Sequence, residues 1–328
     1  MKKRKTINIA VALDGKYTRY VYVMLTSLIH NNDCKDINIC VYMMYTDMRE
    51  TEKAILSELL DNNNIDKKFI HIDRGLFPPN CPVSDMWPIE VYFRILLPYV
   101  LPKDINRILY LDADTIVNQS LQDLWDVEFE GKLICACEDP CEERLSKNII
   151  FDEIRNQGFT YFNSGVLLMN VAGIREKYDL KDYLDIMKKI ADYLQMPDQD
   201  LLNYVHQSEV KILDFEKYNL YAKVAYNHDV HYDEVKQAVT IIHFAGQKPW
   251  QGKYIHFDIE QLWWDYAKQT PFYYELMEEY LYDSINDPTV YNTMLQSVID
   301  KQELKEELEK SMVLCQKLAV MLQEGDKG

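Results

Sequence analysis

At 328 residues and a formal net charge of −17, the chain is long enough for one large α/β domain with an appendage or for two modest domains. It is too acidic to read a nucleic-acid backbone, which needs a basic face, and an anionic ligand would need a local remedy such as a metal ion. Seven cysteines at irregular spacing fit reduced thiols in the cytoplasm better than a disulfide framework, and no run approaches about 18 uninterrupted apolar residues, so no membrane span is expected.

The basic start is followed only by the short apolar run Ile7 to Leu13, broken at Asp14, and reads as a flexible end feeding the first strand rather than as a signal segment. Tyr17 to His30 then carries helical spacing through Tyr20, Met24, Leu25 and Leu28. This β-then-α unit recurs as Ile37 to Met44, the charged amphipathic segment Thr51 to Leu60, and Phe69 to Ile72. The alternation predicts a largely parallel sheet buried on both faces. Leu109 to Leu111 is expected as a central strand, with Asp112 and Asp114 at its carboxyl end, where open α/β sheets bind ligands. In extended chain, residues two apart face one side, so both carboxylates would converge as hard oxygen donors for Mg²⁺ or Mn²⁺. A polar turn at a strand end is the plain alternative.

Glycine, at 10 residues, forms neither a dinucleotide fingerprint nor a P-loop, so the phosphates of a bound nucleotide would depend on a metal and a few cations. Phe162 to Asn170 reads as a turn entering a buried strand, and helical pattern returns between Tyr178 and Leu194. Pro197-Asp198-Gln199-Asp200 looks like a helix start with Asp in the N-cap region. Ile241 to Trp250 is a further apolar strand ending in a polar loop that gathers His243, Gly246 and Lys248. From about Gln261 the composition turns aromatic and acidic. We therefore expect a catalytic domain over 1–260 and a helical extension over 261–328. In that extension Leu304, Leu308, Met312, Cys315, Leu318 and Leu322 recur three or four apart, a stripe that would pack on its own domain or pair chains into a homo-oligomer.

Asp14, Tyr92-Phe93-Arg94, the Asp112/Asp114 pair, Phe162-Asn163-Ser164-Gly165, Asp198-Gln199-Asp200 and the His243 to Trp250 loop, in that order, resemble the bacterial members of glycosyltransferase family 8. That group includes the lipopolysaccharide galactosyltransferases and is related to glycogenin. The resemblance implies a GT-A fold, a Rossmann-like mixed and mostly parallel sheet flanked by helices. It also implies a UDP-sugar donor, UDP-glucose or UDP-galactose, and Mn²⁺, with Mg²⁺ as the alternative, held by Asp112, Asp114 and His243. Arg94 would reach the diphosphate or donor sugar, or else serve as a structural ion pair. Asp14, with Ala12 and Tyr17, would meet the uridine, although Asp14 suits an Asx turn equally well. Ala113 lies between the two carboxylates and counts with the nucleotide-binding residues, as do Gly246 and Lys248 on the diphosphate side. Asn163, Asp198 and Gln199 map to the donor-sugar pocket and Asp139 to the sugar and acceptor side, which makes Gln199, Asp198 and Asp139 the candidate catalytic residues.

Family members retain the donor's anomeric configuration; with only the amide of Gln199 on the nucleophile's face, same-face attack by the acceptor is the favoured course. The acceptor would be a glycan or glycolipid. The tail is not basic, so charge-driven docking at the inner face of the membrane has no support there, and peripheral contact stays open. The loop between Gly246 and Lys248 is one residue shorter than in some relatives, which bears on the reach of Lys248. Cys135, Cys137 and Cys141 lack the paired spacing of a zinc site, and His228 and His231 match no motif. The alternatives are a non-catalytic UDP-sugar or glycan-binding protein and a sugar-phosphate nucleotidyltransferase. The latter generally carries a glycine-rich phosphate loop, which Ala12 to Lys16 does not supply.

Overall fold

The first strand, β1 (Lys5–Leu13), sends Ile7, Ile9, Val11 and Leu13 to one face of the sheet and Ala10 to the other. That period of two repeats in β2 (Ile37–Tyr45) and β4 (Arg107–Leu111), and it builds two cores on opposite sides of one sheet. Leu109 and Leu111 join Val21, Met24, Leu25 and Leu28 of α1 (Thr18–Asn31) and Leu56 and Leu60 of α2 (Glu50–Asn62). Ile108 and Tyr110 face α3 (Phe93–Val100), α4 (Val171–Lys177), α5 (Leu180–Ile190) and α6 (Pro197–Val205), meeting Leu96, Ile174, Met187 and Leu201 among others. Each fully buried aliphatic side chain contributes roughly 1.5–3 kcal/mol. The structure is a computed structural model that describes residues 5–32, 37–84, 87–140, 149–152, 159–252, 258–286 and 300–310, with 296, 312 and 313.

Seven strands make the main sheet in the order β3-β2-β1-β4-β7-β6-β8, where β3 is Asp66–His71, β6 Ile134–Glu138, β7 Phe162–Asn170 and β8 Val210–Leu213. The pairings of β1, β2, β3 and β4 are parallel, as is that of β6 with β8, while β7 runs antiparallel to both β4 and β6. β4 is central, as its apolar run predicts. A small second sheet, β5-β10-β9, comprises Thr115–Val117, Ile241–His243 and Leu220–Tyr221.

The described residues fall into two compact units, Met1–Lys248 with Phe257–Phe272, and Pro249–His256 with Tyr273–Gly328. Within the first, α7 (Glu260–Ala267) packs on α1, where the Asn31 amide donates to the Tyr266 hydroxyl at 2.7 Å and to the Val117 carbonyl of β5 at 2.9 Å. The second contains α8 (Tyr273–Asn286) and the helical residues 300–310; there Leu304, Leu308 and Met312 are exposed, and Cys315, Leu318 and Leu322 lie outside the described residues. Among the described residues no helix is long and apolar enough to cross a membrane.

Two local expectations need correction. The segment Phe162-Asn163-Ser164-Gly165 is already strand, because its backbone completes the ladder with β6 and β4. At the start of α6 the N-cap is Met196 with Pro197 behind it, not an aspartate. Asp200 does related work from inside the first turn, accepting from the Gln195 and Met196 backbone N–H groups at 2.7 and 2.9 Å.

Candidate active site

β4 ends at Leu111, and the chain turns at once: the Thr115 N–H and hydroxyl both donate to the Asp112 carbonyl, at 3.2 and 2.8 Å. Asp112 and Asp114 therefore converge through a turn and not, as the alternation argument supposed, through extended chain. β10 delivers His243 to the same point, since His243 pairs with Thr115 in the small sheet and the Phe244 N–H donates to the Asp114 carbonyl at 3.0 Å. His243 Nε2 lies 3.2 Å from Asp114 Oδ1 and 3.9 Å from Asp112 Oδ2. One ligand atom from each of the three residues lies within 4.8 Å of the others.

Two features bear on whether a divalent cation fits at this point. Gly165 of β7 faces it, and a Cβ there would meet Asp112 Oδ2 at 2.7 Å and His243 Nδ1 at 3.0 Å, so the strand gives up a side chain where the ligands gather. The Lys248 ammonium ion-pairs with Asp114 and donates to the Phe244 carbonyl at 3.0 Å, so positive charge already sits on one carboxylate. Burial raises the Asp114 carboxyl, but Lys248 and His243 outweigh it and hold the group far below the usual carboxylate range. Two carboxylates and an imidazole form a mixed donor set that fits Mn²⁺ or Mg²⁺.

Arg94 of α3, 4 % exposed, commits its donors inside the protein. It reaches Asp112 Oδ1 at 2.8 Å, Asp198 Oδ2 at 3.1 Å, the Ser164 hydroxyl at 2.9 Å and the Val91 carbonyl at 3.0 Å, and its guanidinium lies over the Tyr110 ring. The Tyr110 hydroxyl donates to the same Asp112 oxygen at 2.8 Å. Asp112 is thus fixed from behind. Burial pushes Asp198 up to about 6, with Arg94 opposing that rise and Asp112 adding to it.

Gln199 projects from α6, next to Asp198, and both the oxygen and the nitrogen of its amide are engaged. Its oxygen accepts from Asn163 Nδ2 at 2.9 Å and the Ser164 N–H at 3.0 Å, and its nitrogen donates to Asp139 Oδ2 at 2.9 Å, which also receives the Tyr221 hydroxyl at 3.3 Å. One turn along α6, Asn203 exchanges hydrogen bonds of 2.8 Å with both backbone groups of Phe162, locking the helix to β7. Just after β1, the Asp14 carboxylate accepts from the Tyr17 N–H at 3.0 Å and so caps the short 3-10 turn Gly15–Tyr17, a local capping role like the one the sequence offered, made three residues on and not as an Asx turn. Tyr17 is half-exposed, and its hydroxyl is raised by burial and then by the charge of Asp114. Ala12 is the penultimate residue of the same strand and Ala113 lies inside the turn between the carboxylates.

A family model for glycosyl transferase family 8 matches residues 8–253. The chain belongs to glycosyltransferase family 8. A putative glycosyltransferase of Haemophilus influenzae is 26% identical over 290 residues, 82% of this chain and 85% of that one. A lipopolysaccharide 1,2-glucosyltransferase of Escherichia coli is 26% identical over 76% of this chain and 75% of its own. The fold is shared with the galactosyltransferase LgtC, solved with donor and acceptor sugar analogs: TM-score 0.67, 24% identity, 81% of this chain and 96% of that chain. The central sheet of this family 8 member is accordingly the mixed, mostly parallel one of a GT-A fold.

Within this family 8 site, sequence reasoning missed Asn219, Tyr221 and the steric role of Gly165. Asn219, fully buried, accepts from His243 Nδ1 at 2.9 Å and donates to Asn163 at 2.8 Å, and Tyr221 packs edge-on against the His243 ring. The only hint was an asparagine set among aromatic and apolar residues, in Tyr218-Asn219-Leu220-Tyr221. Gly246 lies open with φ +93°, a conformation that suits glycine. His231 is exposed and paired with Asp229 and Asp258, each at 3.1 Å. Cys135 and Cys137 are buried core thiols, and Cys141 lies outside the described residues.

Proposed function

We propose that this family 8 member is a metal-dependent, retaining hexosyltransferase that moves glucose or galactose from UDP to a hydroxyl of a glycan or glycolipid. The observation that carries the reading is the convergence of Asp112, Asp114 and His243 beside a glycine that clears space for them. These three would hold Mn²⁺ or Mg²⁺, which supplies neutralisation of the diphosphate so that UDP leaves readily. Lys248 adds a point charge for the same phosphates, and the Gly246 backbone lets the loop approach them. Ala12, Asp14, Tyr17 and Ala113 form the nucleoside side, Asn163, Asp198 and Gln199 the sugar side, and Asp139 the edge toward the acceptor.

Arg94 is better read as the residue that holds Asp112 and Asp198 than as a donor contact, because its hydrogen bonds are already taken. Gln199 is a poor nucleophile for two reasons: it is an amide, and its oxygen already accepts two hydrogen bonds. Same-face attack by the acceptor hydroxyl, with its proton passing to the departing phosphate, then accounts for retention.

The test is slow hydrolysis of a panel of UDP-sugars with Mn²⁺ and no acceptor, which also reads donor preference. Asp112→Asn, Asp114→Asn and His243→Ala should each lower turnover by at least roughly 10²-fold and weaken Mn²⁺ binding. Unchanged Mn²⁺ affinity in all three would overturn the metal assignment.

A further inference from the structure

We propose that Asn219 is a positioning residue that fixes which nitrogen of His243 faces the metal, and that its own orientation is dictated by two backbone N–H groups of β7. The inference rests on the metal reading above. A backbone N–H can only donate, so it leaves no freedom in the amide it meets. The Gly165 N–H donates to Asn163 at 2.9 Å, which makes that atom the oxygen and turns the Asn163 nitrogen toward Gln199. There the Ser164 N–H independently fixes the Gln199 oxygen, at 3.0 Å, so both amides are oriented without reference to His243.

Asn219 reaches the Asn163 oxygen at 2.8 Å, and only its NH₂ group can make that bond. Its oxygen is therefore the atom 2.9 Å from His243 Nδ1, and that ring nitrogen must carry a hydrogen. Nε2, the nitrogen aimed at Asp112 and Asp114, is left as the one that gives its lone pair to a metal. Turning Asn219 over would set oxygen against oxygen at Asn163, and Asn163 cannot follow because Gly165 holds it. All four side chains are at least 95 % buried, so water is not at hand to repair a mismatch.

The test uses the full chain. Mn²⁺ binding with UDP present is titrated for the wild type, Asn219→Leu and Asn219→Asp, and the His243 Nδ1–H is followed by ¹⁵N NMR on histidine-labelled protein loaded with Mg²⁺ and UDP. Asn219→Leu removes the acceptor and should weaken Mn²⁺ binding roughly 10- to 100-fold, the scale for partners behind metal ligands. Asn219→Asp keeps an oxygen toward Nδ1 but sets its second oxygen against that of Asn163, so it should recover only part of that loss. In the wild type the Nδ1–H signal should be present and slow to exchange with solvent. Wild-type affinity in Asn219→Leu would overturn the role of Asn219. Should the leucine variant not fold, the wild-type spectrum decides alone, and a missing or rapidly exchanging Nδ1–H overturns the inference. A wild-type chain that binds no Mn²⁺ would instead remove the metal reading itself.

Discussion

Gly165→Ala adds one methyl group at the point where the proposed ligands meet. Gly165 lies inside β7, and it is not among the glycines with positive φ, so alanine suits the backbone and slightly narrows the unfolded ensemble. The damage is confined to the site. Ordinary contact begins at 3.4 Å and the new Cβ would stand 2.7 Å from Asp112 Oδ2, so that carboxylate must retreat by at least 0.7 Å (3.4 less 2.7). The imidazole of His243 is in the way as well. Neither group yields freely: Arg94 and Tyr110 pin Asp112, while Asn219 and Tyr221 flank His243. Overpacking of this kind costs about 1–3 kcal/mol of stability. Displaced ligands should weaken Mn²⁺ by roughly 10- to 100-fold, on the order of 1.4–2.8 kcal/mol. Calorimetric titration of Mn²⁺ with UDP, beside a thermal melt, separates the two effects. A folded alanine variant that binds Mn²⁺ as the wild type does would refute the account of why glycine is there.

On the proposed same-face course, with the amide occupied by Asn163, Ser164 and Asp139, Gln199→Ala should slow transfer yet leave the product of an α-linked UDP-hexose α-linked; proton NMR of the new anomeric centre decides, and a β-linked product would sink that course. Away from the site, hydrogen bonding to His206 pulls Glu209 down to about 2, with burial opposing and Lys177 and Tyr178 adding to the pull. A carboxylate lowered in the folded state contributes stability above its ordinary range, and that contribution drains away as pH falls toward about 2. Glu209→Gln should therefore melt lower than wild type near neutrality, and the gap should close in acid; a gap that stays constant with pH contradicts the assignment.

Much of this architecture is legible in the chain because its signals are local. The β-branched run at Ile7 to Leu13 and the spacing of Tyr20, Met24, Leu25 and Leu28 fix β1 and α1 by period alone, and Leu109 to Leu111 announces a buried central strand. The antiparallel course of β7 was not legible, since a strand buried on both faces carries the same apolar pattern in either direction. β9 is two residues long, too short for any period to register. The candidate site divides in the same way. Asp112, Asp114 and His243 carry recognisable chemistry at recognisable positions, whereas Arg94 could be read two ways until its partners were seen. Asn219 and Gly165 act only through what lies beside them in space, and an asparagine or a glycine in isolation says nothing about its neighbours.

Because β7 runs against both its neighbours, the chain leaves β6 and comes back into β7 at the same edge of the sheet. The two ends of that excursion are fastened together, the Asp139 N–H donating to the Tyr161 carbonyl at 2.9 Å. The stretch that joins these two residues is a connection closed at its base. The entropic cost of such a loop grows only with the logarithm of its length, about 0.6 kcal/mol for each doubling. Changes of length in that connection are therefore cheap in closure entropy so long as Phe151, fully buried against Phe159 and Tyr161, is kept, and they leave Asp139 on one side and Phe162 to Gly165 on the other in their places. A connection of this kind can change in length while the residues that flank it stay in register.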